Sequence, residues 1–245
     1  MSKPNDMGDN RLPPRPTEPW WQSAIDLLLP PRCVSCGRRG AEVCETCFQT
    51  IHRLGPGICP RCSGPSTEGR LCRSCIRRSG QVNAIIAGHA YDGAVRAAIL
   101  AFKYRGRTRL EPLLSRLLAD SLQRRPLTID VVIPVPLSSA RHRERGFNQA
   151  ELLARPVALE NDWRLEMRAL IRERDTRQQT RLSAAERFNN VAGAFSVTHP
   201  SMVGGRRILL VDDVCTTGAT LQACAVPLIS AGASGVWGLV VAREA

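Results

Sequence analysis

Beyond position 80, apolar residues fall into short continuous runs separated by stripes of helical period. Residues 82–91, with Asn83-Ala-Ile-Ile-Ala-Gly at their centre, predict a first strand. Asp92 stands where it can cap a helix on which Val95, Ile99 and Phe102 share a face. A second helix is expected over 110–124, with Leu113, Leu114, Leu117 and Leu118 at core spacing and Pro126 closing it. Asp130-Val-Val-Ile-Pro-Val-Pro136 reads as a strand, followed by a Ser- and Arg-rich loop and a helix from near Gly146. Further strands are expected at 164–170, 207–211 and 236–242, and a helix over 221–231. Strands alternating with helices predict an α/β fold with a largely parallel sheet and helices on both faces. Ligands of such sheets bind at the carboxyl ends of strands. The segments after Pro136 and Leu170 and the residues from Asp212 should therefore share one rim.

The front of the chain follows a different rule. Eight of its ten cysteines form four CxxC pairs, Cys33/Cys36, Cys44/Cys47, Cys59/Cys62 and Cys72/Cys75. Segments 33–47 and 59–75 repeat one unit, CxxC, a Gly-containing turn, then CxxC. The intervening residues are Gly, Arg and Ser rather than apolar, so burial cannot hold this part together. Each CxxC turn aims two thiolates at one tetrahedral ion, and two turns complete a four-sulfur shell, the chemistry of structural zinc. Disulfides are the weaker reading in a chain that shows no secretion signal. Two zinc ions are expected, bound either by successive CxxC pairs or by a crossed arrangement of first with third and second with fourth.

Residues 1–19 are polar, hold five prolines and lack the apolar core of a signal peptide, so they read as a disordered leader. Trp20, Trp21, Ile25, Leu28 and Leu29 suit a short amphipathic helix docked on the chain's own core. The expected organisation is a leader over 1–19, helix and cysteine-rich module over 20–78, and an α/β domain over 79–245. No apolar run reaches the length of a membrane span, and a cytoplasmic protein is expected. The formal charge is +12 and 43% of residues are apolar. Such an excess favours anionic partners, nucleotides, diphosphate or nucleic acid, without choosing among them. Nearly every basic residue is Arg, the better fork for phosphate, with Lys only at Lys3 and Lys103.

Residues 208–220 say most about chemistry: Ile-Leu-Leu-Val-Asp-Asp-Val-Cys-Thr-Thr-Gly-Ala-Thr. A strand, a turn and a helix N-terminus make an anion site, because unpaired amides and the helix dipole face the ligand. Thr216, Thr217 and Thr220 add hydroxyl donors, and Gly218 lets backbone approach a phosphate. Asp212 and Asp213 repel phosphate but suit ribose hydroxyls, or positive charge developing on a sugar. A plain strand–turn–helix is the bland reading. The residue types favour a phosphorylated sugar.

Two other segments bear on the same rim. In 133–150, Arg141, Arg143 and Arg145 can neutralise a diphosphate, with Ser138 and Ser139 as added donors; the alternative is a solvated basic loop. In 172–195 the polar stretch around Arg177 and Gln178 suits either a lid over an activated sugar or a solvated connection. Ser183 and Glu186 there fit a capping box. The four histidines lack ligand spacing and receive no role.

The 208–220 segment resembles the phosphoribosyl-diphosphate (PRPP) motif of type I phosphoribosyltransferases. That resemblance implies that Asp212 and Asp213 hold the ribose 2′- and 3′-hydroxyls and that Cys215, Thr216, Thr217, Gly218, Ala219 and Thr220 wrap the 5′-phosphate. Small residues are usual at the position of Cys215, where a thiol fits sterically but adds an oxidisable group. With the four CxxC pairs, the lead-in Ile25-Asp-Leu-Leu-Leu-Pro-Pro-Arg-Cys33, Lys103-Tyr-Arg-Gly and Arg145-Gly-Phe-Asn-Gln149, residues 20–245 resemble the ComF family of competence-associated phosphoribosyltransferases. The resemblance implies a type I phosphoribosyltransferase fold behind a double zinc ribbon. It also implies Mg²⁺-PRPP as ligand and a role in DNA uptake during transformation, in company with uptake proteins including a helicase.

Two functions follow as expectations. The first is a PRPP-dependent transferase in which Asp212 and Asp213 act at the reacting sugar. The second is a non-catalytic, PRPP-responsive protein that binds single-stranded DNA on its basic surface. Aromatic residues near basic runs are few, Tyr104, Phe147 and Phe188, which limits base stacking in the second.

Overall fold

In a computed structural model of the chain, residues 30–77, 80–174, 186 and 190–244 are described. The leader, the helix expected from Trp20, the boundary after position 77, the capping Ser183 and the lid candidates Arg177 and Gln178 lie outside the described residues. The elements of the cysteine-rich module are two single-turn helices, α1 (Glu45–Gln49) and α2 (Arg73–Arg77).

The α/β domain is built on a five-stranded, all-parallel sheet. Its strands are β1 (Ala84–Ala90), β2 (Val131–Pro134), β3 (Arg164–Leu165), β6 (Arg207–Cys215) and β7 (Gly235–Arg243), in the order β1-β7-β6-β2-β3. A separate antiparallel pair joins β4 (Leu170–Arg172) to β5 (Phe195–Val197). The apolar runs have the near-continuous character of strands buried on both faces, and alternate residues feed two cores. Ile86, Val132, Leu209, Val211 and Leu239 meet helices α3 (Gly93–Tyr104), α4 (Glu111–Arg124) and α6 (Gln149–Glu160). Ile85, Val131, Ile133, Ile208 and Leu210 meet α7 (Ala219–Ser230) and the β4–β5 pair. The α/β architecture with helices on both faces is therefore as the periodicity predicts.

Some details differ from that reading. The expected strand 164–170 is two strands in two sheets, because β3 stops at Leu165 while Leu170 pairs with Val197. Asp92 occupies the N-cap position of α3 but makes no capping bond; its Oδ2 lies 2.9 Å from His52 Nδ1 instead. The Ser- and Arg-rich segment is a helix, α5 (Ser139–Arg145), and β6 continues through the acidic pair to Cys215.

The cysteine-rich module covers the free edge of β1. The segment between its two halves runs antiparallel to that strand, where the Ala90 amide donates to His52 O at 3.0 Å and Leu54 N to Gly88 O at 2.8 Å, and Arg61 O, between Cys59 and Cys62, accepts from Ile85 N at 2.7 Å. Ser63 Oγ donates to Ile85 O at 2.8 Å. An open strand edge is a template for aggregation, and this one is paired.

Candidate functional site

The site forms where β6 leaves the sheet. The β6–β7 ladder holds through Asp212↔Val240 and Cys215↔Arg243, so both acids stand on a rigid strand. Asp213 follows Val211 on the face that meets α3, and Asp212 follows Leu210 on the other. Lys103, in the last turn of α3, reaches Asp213: Nζ lies 2.7 Å from Oδ1, and both side chains are largely buried. Burial drives the ammonium toward its neutral form, but the adjacent carboxylate outweighs it and raises the Lys103 pKa. Asp212 is turned back on the chain, accepting from the Asp213 amide at 2.9 Å. Burial, and then the charge of Asp213, push its carboxyl up to about 7, against the pull of Lys103.

A sharp turn carries the chain from β6 into α7. Gly218 is its pivot, with φ of +78° in the left-handed region and a Cβ position 3.0 Å from Ile85 Cδ1. Thr217 Oγ1 accepts from the Ala219 amide at 3.3 Å, which tightens the first turn of the helix. Cys215 is buried, and its sulfur accepts from Arg243 Nη1 at 2.7 Å. Burial pushes this thiol up to about 11 although Arg243 opposes it, so it stays protonated and unreactive near neutrality.

Opposite stands the wall built from β2, α5 and α6. Ser138 caps α5 by accepting from Arg141 N at 3.4 Å, and Gly146 ends it with φ of +78°. Asn148 caps α6 and its Nδ2 donates to Val135 O at 3.2 Å, tying helix to strand. Phe147 packs edge-on against Phe102, with centroids 5.8 Å apart. Arg145 lies over the Tyr104 ring at 4.8 Å, and its Nη1 donates to Gln149 Oε1 at 2.9 Å. Among the described residues, Arg145 Nε and Gln149 Nε2 are buried donors without a partner. Unpartnered buried donors are costly, so this wall has capacity for an acceptor-rich ligand.

A cavity of about 330 Å³ separates the two walls. Asp212, Asp213, Cys215, Thr216, Gly218, Ala219 and Thr220 line one side, Arg141 and Arg145 the other. The rim expected from the sheet topology is thus assembled, with Arg172 of β4 on it. Other candidates stand apart. The Ser138 hydroxyl is spent on capping, Ser139 is the first residue of α5 and does not line the cavity, and Arg143 points to solvent. Thr217 lines a second hollow, between the second cysteine group and α7. Sequence reasoning missed Lys103, Tyr91, Gln149 and Glu244, which also line the cavity. Two signals were available: of 34 basic residues only Lys3 and Lys103 are lysine, and Lys103 and Gln149 both fall in the motifs that carry the family resemblance.

The cysteines form two groups, Cys33, Cys36, Cys44 and Cys47, and Cys59, Cys62, Cys72 and Cys75. Within each, every sulfur lies within 4.8 Å of the others. Pairing is therefore sequential, which removes the crossed alternative, and both groups fit a structural zinc with four thiolates and no open position. Cys224 is core.

Comparison with known proteins gives a match for the cysteine-rich segment and relatives for most of the chain. Residues 24–76 match the double zinc ribbon domain. DNA utilization protein YhgH of Escherichia coli is 34% identical over 200 residues, covering 79% of this chain and 87% of the relative. Competence protein ComFC of Bacillus subtilis is 29% identical over 78% of this chain and 79% of its own. Competence protein F of Haemophilus influenzae is 30% identical over 80% and 95%. Among solved structures, glutamine PRPP amidotransferase from B. subtilis aligns with a TM-score of 0.39 and 22% identity, over 57% of this chain and 30% of that one.

Proposed function

The chain belongs to the ComF family, and from that premise we propose that its cavity binds PRPP with Mg²⁺ and that the protein serves in the uptake or use of DNA. The observation that carries the ligand is the cavity itself, of about 330 Å³, with an acidic pair on a rigid strand end on one side and arginines on the other. In this reading Asp212 and Asp213 accept from the ribose hydroxyls, and the turn from Cys215 to Thr220 takes the 5′-phosphate at the N-terminus of α7. Arg141 and Arg145 face the diphosphate, and the unpartnered donors of Arg145 and Gln149 suit its oxygens. Mg²⁺ would come with the diphosphate and offset its charge, so few protein ligands to it are expected. If transfer occurs, the acidic pair stabilises positive charge at the anomeric carbon as the diphosphate leaves.

The DNA role is drawn from the relatives' names, and with it contact with uptake proteins such as a helicase. The same reading places the protein in the cytoplasm, where thiolates stay reduced and hold zinc. Among the described residues no helix is long and apolar enough to cross a membrane. The non-catalytic, single-stranded DNA-binding alternative has one favourable observation, the exposed Tyr104 beneath Arg145. Against it, Phe147 is consumed by core packing and Phe188 lies outside the described residues.

The experiment is calorimetric titration of Mg²⁺-PRPP into zinc-replete protein, wild type and Asp213→Ala. Micromolar binding that the variant loses supports the reading. No binding at millimolar PRPP removes it and leaves DNA binding as the leading function.

A further inference from the structure

We infer that Lys103 is a positioning residue that acts through Asp213, supplying the internal counter-charge that lets a second carboxylate stand beside Asp212 and keeps it aimed at the ligand. The inference deepens the PRPP reading and rests on it for the ligand alone. Two adjacent acids inside a cavity meant for a polyanion are an electrostatic liability, since each repels the other and both repel phosphate. Here the liability is answered from within the protein. The Lys103 ammonium touches Asp213 Oδ1 at 2.7 Å, in a position where water is largely excluded. Its own helix favours a cation there, because Lys103 lies in the last turn of α3.

Composition supports a specific need. In a chain whose other described basic residues are all arginine, the one lysine stands against the acidic pair. A guanidinium is wider and planar, whereas an ammonium is a compact point charge that fits between α3 and the end of β6. Other cations on the cavity wall are Arg141 and Arg145 at α5 and Arg172 of β4, and its acids besides Asp213 are Asp212, Glu144 and Glu244. The ion pair on the Asp213 carboxylate is made by Lys103, which is placed to neutralise it.

The test is a double-mutant cycle on the full, zinc-replete chain: wild type, Lys103→Met, Asp213→Asn and the two combined. Two quantities are read, thermal stability without ligand and affinity for Mg²⁺-PRPP. Lys103→Met leaves a buried carboxylate uncompensated and is expected to lower the melting temperature, while adding Asp213→Asn restores most of the loss. Lys103→Met is also expected to weaken PRPP binding by about thirtyfold or more. In the Asp213→Asn background the same change should alter affinity less than about twofold, because a residue acting through Asp213 has nothing left to act on. Additive effects in both quantities overturn the inference. Coupled stability in a protein that binds no PRPP sinks the ligand reading and leaves Lys103 as the counter-ion. PRPP binding with additive losses does the reverse. If Lys103→Met alone does not fold, folding of the double variant supports the inference and failure of both overturns it.

Discussion

Arg53, in the segment joining the two cysteine groups, donates to Asp120 of α4 at 3.1 Å and so clamps the cysteine-rich module to that helix. The buried His89 on β1 lies 3.3 Å from the other Asp120 oxygen, and Arg124 also pairs with it. Burial raises the Asp120 carboxyl, but the bonds from His89 and Arg124 outweigh it and bring it down to about 2. Unfolded, the group titrates near about 4, so the unfolded chain binds the extra proton between these values. The contribution is therefore present above about pH 4 and is lost as pH falls toward about 2. Asp120→Asn should lower the melting temperature at pH 7, and the gap to wild type should close below about pH 4. A gap that stays constant down to about pH 3 would mean the carboxylate is not tied into the seam.

The two sulfur groups are separate, and each should behave as its own metal site. Wild-type protein is expected to carry two zinc ions per chain, and Cys36→Ser or Cys62→Ser one each, by elemental analysis. Loss of both ions from either variant would show that the sites fill as one. Chelation should loosen the module from β1, since thiolate-bound metal rather than an apolar core holds the knuckles in shape. Faster amide exchange at Ile85, Ala87 and Ala90, whose amides bond to the module, would report it.

What was legible in the sequence was local. CxxC spacing carries its meaning in four residues, and the strand–turn–helix at 208–220 carries its own in thirteen. The helix α5 was also legible, since Ser138 and Gly146 are its start and stop signals, yet a run of arginines reads as loop. Partner choice was not legible. Asp212 and Asp213 look like loop residues, and only the ladder to β7 makes them strand. Residues 164–170 read as one strand because propensity does not say which sheet a strand joins. The docking of the module on β1 uses backbone bonds, which leave no side-chain pattern, while Val43 and Phe48 of the module enter the core shared with the helices. The pairing of Lys103 with Asp213 spans more than a hundred residues and follows only from how α3 crosses the sheet.

Gly218 concentrates two constraints in one residue. Its φ of +78° disfavours any side chain, and a Cβ there would stand 3.0 Å from Ile85 Cδ1. Gly218→Ala should cost about 1–2 kcal/mol in stability from the backbone alone. The Ile85 side chain can give way, but the backbone strain is relieved only if the Thr216–Gly218 turn shifts, so phosphate affinity should fall along with stability. Urea unfolding with parallel titration of ribose 5-phosphate separates the two. Unchanged affinity in a destabilised variant would show that the turn does not hold the phosphate.

The acidic pair gives the ligand site a pH signature. Asp212 is pushed up to about 7 by burial and by the charge of Asp213, so below that value its own carboxyl takes up a proton. A folded value above the unfolded one means the native chain holds this proton where the unfolded chain does not. Its effect on stability therefore falls away as pH rises from about 4 to about 7. Ligand binding runs the other way, because ribose hydroxyls donate best to an ionised carboxylate. Affinity for Mg²⁺-PRPP should rise as pH passes through about 7, and Asp212→Asn should bind more weakly and keep only the part of the rise that the ligand's own phosphates contribute. The ligand's own phosphates titrate near about 6, and the same variant removes that confusion, since they titrate equally in both experiments. A rise of the same size in wild type and Asp212→Asn would belong to the ligand alone and would take Asp212 out of the site.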